Sequence, residues 1–239
     1  MDNSVYITLS KQAGLFRDLD VAANNIANAN TVGFQAEKPM FSQYVEPNSR
    51  NDDAYVNDLT TYRDTSTGPI KQTGNPFDLA INGNGYFQVQ TPQGIRYTKA
   101  GNFAIDNKGA LVNPAGYPVL GKSGGQITIP QPANDVTING VGDVIVDGQQ
   151  VGTIGVMEFT NEQAMHREGS SLYSATETPK ASITSRLAQG ALEESNVKSV
   201  TELVRVQELG RSVTGASKFI SDTYDLQRKA VSSYTRTGS

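Results

Sequence analysis

Few side chains in this 239-residue sequence are equipped for bond-making chemistry. Cysteine is absent, which removes disulfides, thiolate catalysis and cysteine-based metal sites together. The single histidine, His166, stands in NEQAMHREGS, and any Ser-His-Asp relay would have to use it. No nucleophile elbow lies near it, so a loop or surface role is expected. One histidine and no cysteine would leave a zinc ion mostly carboxylates, a poor donor set. Asp78, Asp106 and Asp143 are spread among turns and strand ends, without the spacing of a carboxylate pair for glycan cleavage. NGNGYF, residues 82–87, has the glycines of a phosphate loop, but no Gly-Lys-Ser/Thr follows. It reads as a tight turn that sets strand register before Tyr86 and Phe87. The expectation is no catalytic residue, no cofactor and no metal: not an enzyme.

The unusual side chains are amides. VAANNIANANTVGF, Val21 to Phe34, carries Asn24, Asn25, Asn28 and Asn30, with no charged residue between Asp20 and Glu37. Each Asn costs roughly 0.5 kcal/mol relative to Ala inside a helix. A helix facing water takes charge on its outer face. One packed on several sides takes small residues, and amides that hydrogen-bond laterally, because a buried unpaired charge is costly. The segment reads either as a helix crowded within an assembly, with these asparagines at subunit contacts, or as a helix end drifting into a turn.

The elements that would position these amides follow from periodicity. From Val5 to about Asn30, Leu9, Gln12, Phe16, Leu19, Ala23 and Ile26 step 3, 4, 3, 4, 3, a heptad seam without proline. Gly33 supplies a stop and a turn of the chain, and Pro39 opposes resumption. From about Ser195, a plausible N-cap, Val206, Leu209, Val213, Ala216 and Ile220 repeat the 3, 4 spacing, and Ala230 and Tyr234 continue it. Gly210 and Gly215 weaken that helix by about 1 kcal/mol each; they are plain weak points or places of close approach. The two seams are expected to pack together.

Between the helices lie short alternating runs: 77–81, 86–90, 95–99, 126–130, 136–140, 143–147 and 153–159. Asn-Gly and Asp-Gly turn pairs punctuate them, including Asn139-Gly140 and Asp147-Gly148. The fold class is therefore α+β. An N-terminal helix (1–35), an extended connector (36–75) and a central domain of short antiparallel strands (76–185) precede a C-terminal helix (186–239). Net charge is −4 with no basic stripe, which argues against nucleic acid as a partner. No run of about 18 apolar residues offers a membrane span. MDNSVYITLSKQAGLF lacks the basic and apolar regions of a cleavable signal.

Three blocks carry a resemblance. AANNIANANTVGF, 22–34, resembles the ANN-x-AN-x-x-T-x-GF signature of bacterial flagellar rod and hook axial proteins. The 75–121 block, NPFDLAINGNGYF onward to GYPVLG, looks like the segment that opens their β-domain. GALEESNVKSVTELVRVQELGRS, 190–212, is similar to their G-x-LE-x-SNV helix start. MDNSVY and GYPVLGKSGGQITIP further resemble proximal-rod members. Ser212-Val213 departs from the aromatic-acidic pair of distal-rod members, which remain the alternative, along with other hook and rod subunits. The resemblance implies a structural subunit of the basal-body rod. Such a subunit would be exported unfolded by the flagellar type III apparatus without a cleaved signal, and would fold on adding to the growing shaft in the periplasm. Its partners would be copies of itself and other rod proteins, with no small-molecule substrate. Its paired terminal helices would form the inner tubular layer.

Overall fold

The computed structural model describes residues 3–45, 54–169 and 171–236, with side chains placed over 5–40, 60–169, 171–229 and at Ser232. The chain divides into two compact units. The first gathers Met1–Ala27, Glu37–Arg63 and Lys198–Ser239; the second gathers Asn28–Ala36 and Asp64–Val197.

The first unit contains helix α1 (Asn3–Ala27), helix α2 (Ser199–Arg236) and a hairpin, β1 (Glu37–Val45) with β2 (Ala54–Arg63). The hairpin lies in the region expected to be an extended connector. Its register runs from Glu37 opposite Arg63 to Val45 opposite Ala54, with an irregularity between Ser42 and Gln43. Both strands of a two-stranded ribbon are edges, so Pro39 is tolerated inside β1. Helix α1 packs against both α2 and the hairpin. The C-terminal helix starts at Ser199, later than the expected boundary. Ser195 is no cap of it, and its hydroxyl accepts the Val197 N–H instead.

The second unit is built of short antiparallel strands. They begin with β3 (Ile70–Gln72), β4 (Leu79–Asn82), β5 (Tyr86–Thr91) and β6 (Gly94–Thr98). Then come β7 (Ala104–Ile105), β8 (Leu111–Val112), β9 (Val119–Leu120), β10 (Val136–Ile138), β11 (Asp143–Val146) and β12 (Gln149–Thr153). The last are β13 (Val156–Glu158), β14 (His166–Glu168), β15 (Leu172–Ser174), β16 (Lys180–Ala181), β17 (Arg186–Gln189) and β18 (Ala191–Glu193). The main sheet has the order β14-β15-β6-β5-β13-β16, with β9 also paired to β5; β10-β11-β12 form a meander. Two pairings, β4 with β17 and β3 with β18, join the start of the unit to its end. Residues 186–193, expected to belong to the C-terminal helix, are thus strands. Their N–H and C=O groups are drawn into ladders with residues from 70 to 82.

Leu79, Ile81, Phe87, Val89, Leu111, Val119 and Val144 form the centre of an aliphatic core. Tyr86, Tyr97, Phe159 and Tyr173 form an aromatic cluster with edge-to-face ring contacts. Burying such side chains contributes about 1.5–3 kcal/mol each. NGNGYF bends the chain between β4 and β5, which do not pair with each other, so the bend sets no hairpin register there; Gly85 has φ +132°, and a Cβ there would lie 2.6 Å from a Val156 methyl.

Candidate functional site

No constellation of catalytic type forms among the described residues. His166 is exposed at the start of the edge strand β14. The three aspartates serve turns. Asp106 Oδ1 accepts the Lys108 and Ala110 N–H groups. Asp78 accepts from the Thr73 hydroxyl and the Asn75 amide. Asp143 accepts from Thr153, Asn139 and Gln150, and the Thr153 and Asn139 bonds hold its carboxyl below the ordinary range. Among the described residues no group of His, Asp and Glu could hold a metal ion, and no helix is long and apolar enough to cross a membrane.

The site that remains is the helix pair and the amide-rich segment that follows α1. The helices run antiparallel: Gln12 Nε2 donates to Ser217 Oγ at 2.8 Å, and Arg205 Nη2 donates to Asp18 Oδ1 at 2.6 Å. On α2 the expected seam is the least exposed stripe. Leu209 and Ala216 are buried, and Val206, Val213 and Ile220 are half-buried. On α1 the buried line is different. It runs through Gly14, Asp18, Ala22 and Asn25, at steps of 4, 4 and 3. Of the expected α1 seam, Leu19 and Ile26 are half-buried, Ala23 is exposed, and Leu9 and Phe16 are 54% and 49% exposed. At 100° per residue, the seam centres more than a third of a turn from the buried line. Small Gly14 and Ala22, the Asp18 ion pair and the hairpin decide which face turns inward. Heptad spacing does not register these. α2 also exposes Val200, Leu203, Val204, Phe219, Tyr224 and Leu226.

The four asparagines divide. Asn25 is fully buried within its own chain, a correction to its expected place at a subunit contact. Its Nδ2 donates to the Glu37 carbonyl at 2.8 Å, and its Oδ1 accepts the Glu37 N–H at 2.9 Å. Asn24 and Asn30 are exposed. Asn28 is half-buried in the turn after α1, where its carbonyl accepts the Thr31 N–H and its Oδ1 the Thr31 hydroxyl. Gly33 then turns the chain at φ +65°; a Cβ there would lie 2.5 Å from the backbone of Lys99 and Ala100. Its N–H donates to the Glu193 carbonyl.

Around this turn the second unit holds a buried polar group that sequence reasoning missed. Lys99 Nζ lies 3.5 Å from Glu193 Oε2, and both side chains are nearly inaccessible. The Gly68 N–H donates to Glu193 Oε1, and the ammonium sits over the Tyr86 ring. Burial raises the Glu193 carboxyl above its ordinary value, opposed by Lys99 and the Gly68 N–H. The Tyr86 hydroxyl lies within reach of Glu162 Oε2 and of the Gln35 amide. Arg167 covers the Phe34 ring at 4.0 Å. Asn196 satisfies both functions of its amide. Its Oδ1 accepts the Ala36 N–H, and its Nδ2 donates to the Asp64 and Ser66 carbonyls. The signal for this group lay in the very blocks that carried the resemblance, VGFQ, YTKAG and LEESNV. Periodicity assigns such residues no partner.

The comparisons agree with this arrangement. Residues 16–35, the last turns of α1 and the turn after it, match the family described as Flagella basal body rod protein. Residues 80–146 match Flagellar hook protein FlgE/F/G D1 domain. The chain is 40% identical to the flagellar basal-body rod protein FlgF of Caulobacter vibrioides, over 97% of both chains. It belongs to the flagellar basal-body rod protein family. Other rod-family relatives are FlgF of Mesorhizobium japonicum, 33% identical over 97% of both chains, and FlgG of Bacillus subtilis, 35% identical over 97% of this chain and 98% of the relative. As a rod-family member the chain is a structural subunit of the flagellar basal body, assembling with other rod subunits. The exposed apolar side chains of α1 and α2 therefore belong to a protein that works in contact with neighbours.

Proposed function

We propose that this rod subunit is a proximal-rod component without enzymatic activity. The flagellar type III apparatus exports it unfolded, without a cleaved signal, and its terminal helices complete their folding on joining the shaft in the periplasm. The observation that carries this reading is the exposure of Leu9 and Phe16 on α1, together with Val200, Leu203, Phe219 and Leu226 on α2. A helix pair with that much apolar surface in water gains little from pairing alone, while ordering costs roughly 1–2 kcal/mol of backbone entropy per residue. Neighbouring subunits supply the missing burial. In the shaft, Leu9, Phe16, Leu19, Ala23 and Ile26, with Val206, Leu209, Val213, Ala216 and Ile220, form the helical layer, and Asn24, Asn28 and Asn30 meet adjacent subunits. Absence of cysteine suits an oxidising compartment.

Limited proteolysis of the dilute purified chain, with fragments mapped by mass, tests the proposal. Cuts before about residue 28, within 37–63 and after about residue 198, leaving the strand-rich unit intact, are expected of segments that order only on assembly. A chain resistant throughout would overturn assembly-coupled folding.

A further inference from the structure

The residue pair that opens the hairpin carries an unusual burden. The Asp64 N–H donates to the Ala36 carbonyl, one step outside the Glu37↔Arg63 pair. In an antiparallel ladder this makes Glu37 and Arg63 a pair whose own N–H and C=O groups point away from each other. Both outward groups of Glu37 are met by one side chain, Asn25, as a neighbouring strand would meet them. One residue earlier, the Ala36 N–H donates to Asn196, whose amide also holds the carbonyls of Asp64 and Ser66.

We propose that Asn25 and Asn196 are paired clasps that fix where β1 and β2 begin and in which register they pair. Packing on α1 favours one face of the ribbon, and the clasps add a fixed starting point at its open end. The two strands form a separate sheet, and a two-stranded ribbon is marginal in water. The eight residues between them in sequence, EPNSRNDD, offer no Asn-Gly or Asp-Gly pair to set a tight turn. A slip of one residue would turn every hairpin side chain to the opposite face. Only a group with both donor and acceptor serves at each clasp, which is why asparagine stands at both positions and aspartate would not serve. Asn25 reaches Glu37 from the last turn of α1, so the hairpin is latched when that turn is helical. In this respect the inference rests on the assembly-coupled folding proposed above. It gives Asn25 an intramolecular, positioning role in place of a subunit contact.

The absence of native cysteine permits a direct test in cells. Asn25→Asp is isosteric and exchanges the donor for a charge facing the Glu37 carbonyl. One lost neutral bond alone would shift hairpin opening about tenfold, and the buried charge adds to that; loss of swimming is expected. Met40→Cys with Thr60→Cys joins a pair that is in register in the native ladder, at exposed positions; by alternation from Glu37↔Arg63 it is a hydrogen-bonded pair, whose Cα atoms stand about 5.5 Å apart, within disulfide reach. Added to Asn25→Asp, this pair restores swimming, and a reductant abolishes the rescue. The mismatched pair Met40→Cys with Thr61→Cys does not rescue. Normal swimming by Asn25→Asp, or failure of the native-register disulfide to rescue it, overturns the proposal. The Cys pair alone must swim. A strain lacking the whole protein reports on the rod role separately, since only its swimming would contradict that role.

Discussion

The buried pair Lys99–Glu193 makes the sharpest energetic prediction. Its side chains are 2% and 3% exposed, and Lys99 Nζ is the cation that faces Glu193 Oε2. Lys99→Met keeps length and apolar volume but leaves a carboxylate buried with only the Gly68 N–H. Breaking a buried pair from one side costs about 3–5 kcal/mol, a large share of the 5–15 kcal/mol by which a domain is typically stable. Lys99→Met with Glu193→Leu removes both charges and should recover most of the loss. Urea unfolding of the strand-rich unit, followed by tyrosine circular dichroism because tryptophan is absent, reads these values. The pH dependence gives a second reading. Burial already raises the Glu193 carboxyl, and Lys99 opposes that rise. Without Lys99 the value climbs further. A carboxyl raised in the folded state supports folding below its ordinary value and loses that support as pH rises through the raised value. The deficit of Lys99→Met should therefore grow as pH rises above the ordinary carboxyl range. A loss under about 1 kcal/mol, the scale of an exposed pair, or one independent of pH, would refute the reasoning.

Three further outcomes follow from the same geometry. Gly33→Ala should destabilise the strand-rich unit by about 2 kcal/mol or more, because it combines a positive φ with a Cβ 2.5 Å from backbone atoms; its melting temperature checks this. Leu9→Ser and Phe16→Ser should change stability of the isolated chain by no more than about 0.5 kcal/mol, as exposed substitutions do, yet reduce swimming; full motility at normal protein level would contradict the assembly role. Gly210→Ala should stabilise α2 by about 0.8–1 kcal/mol, since a Cβ there meets nothing within 4 Å; an unchanged or lower helix content by circular dichroism would count against that.

The sequence by itself determined the layout: two long helices at opposite ends of the chain, short antiparallel strands between them, and turns at Asn-Gly and Asp-Gly pairs. These features are local. Heptad spacing, alternation and glycine at positive φ are properties of neighbouring residues, so they are legible along the chain. The inward stripe of α2 was legible for the same reason, because Val206, Leu209, Val213, Ala216 and Ile220 face one partner. On α1 two partners compete, α2 and the hairpin, and the tertiary structure turned Gly14, Asp18, Ala22 and Asn25 inward in place of Leu9 and Phe16. Residues 186–193 became strands because their ladder partners lie more than 100 residues earlier. Buried amides and charges were out of reach for one physical reason: a hydrogen bond is specific to its partner, and no pattern along the chain shows which one. Asn25 finds Glu37 around a turn, Asn196 finds Ala36, and Lys99 finds Glu193 only when folding brings them together.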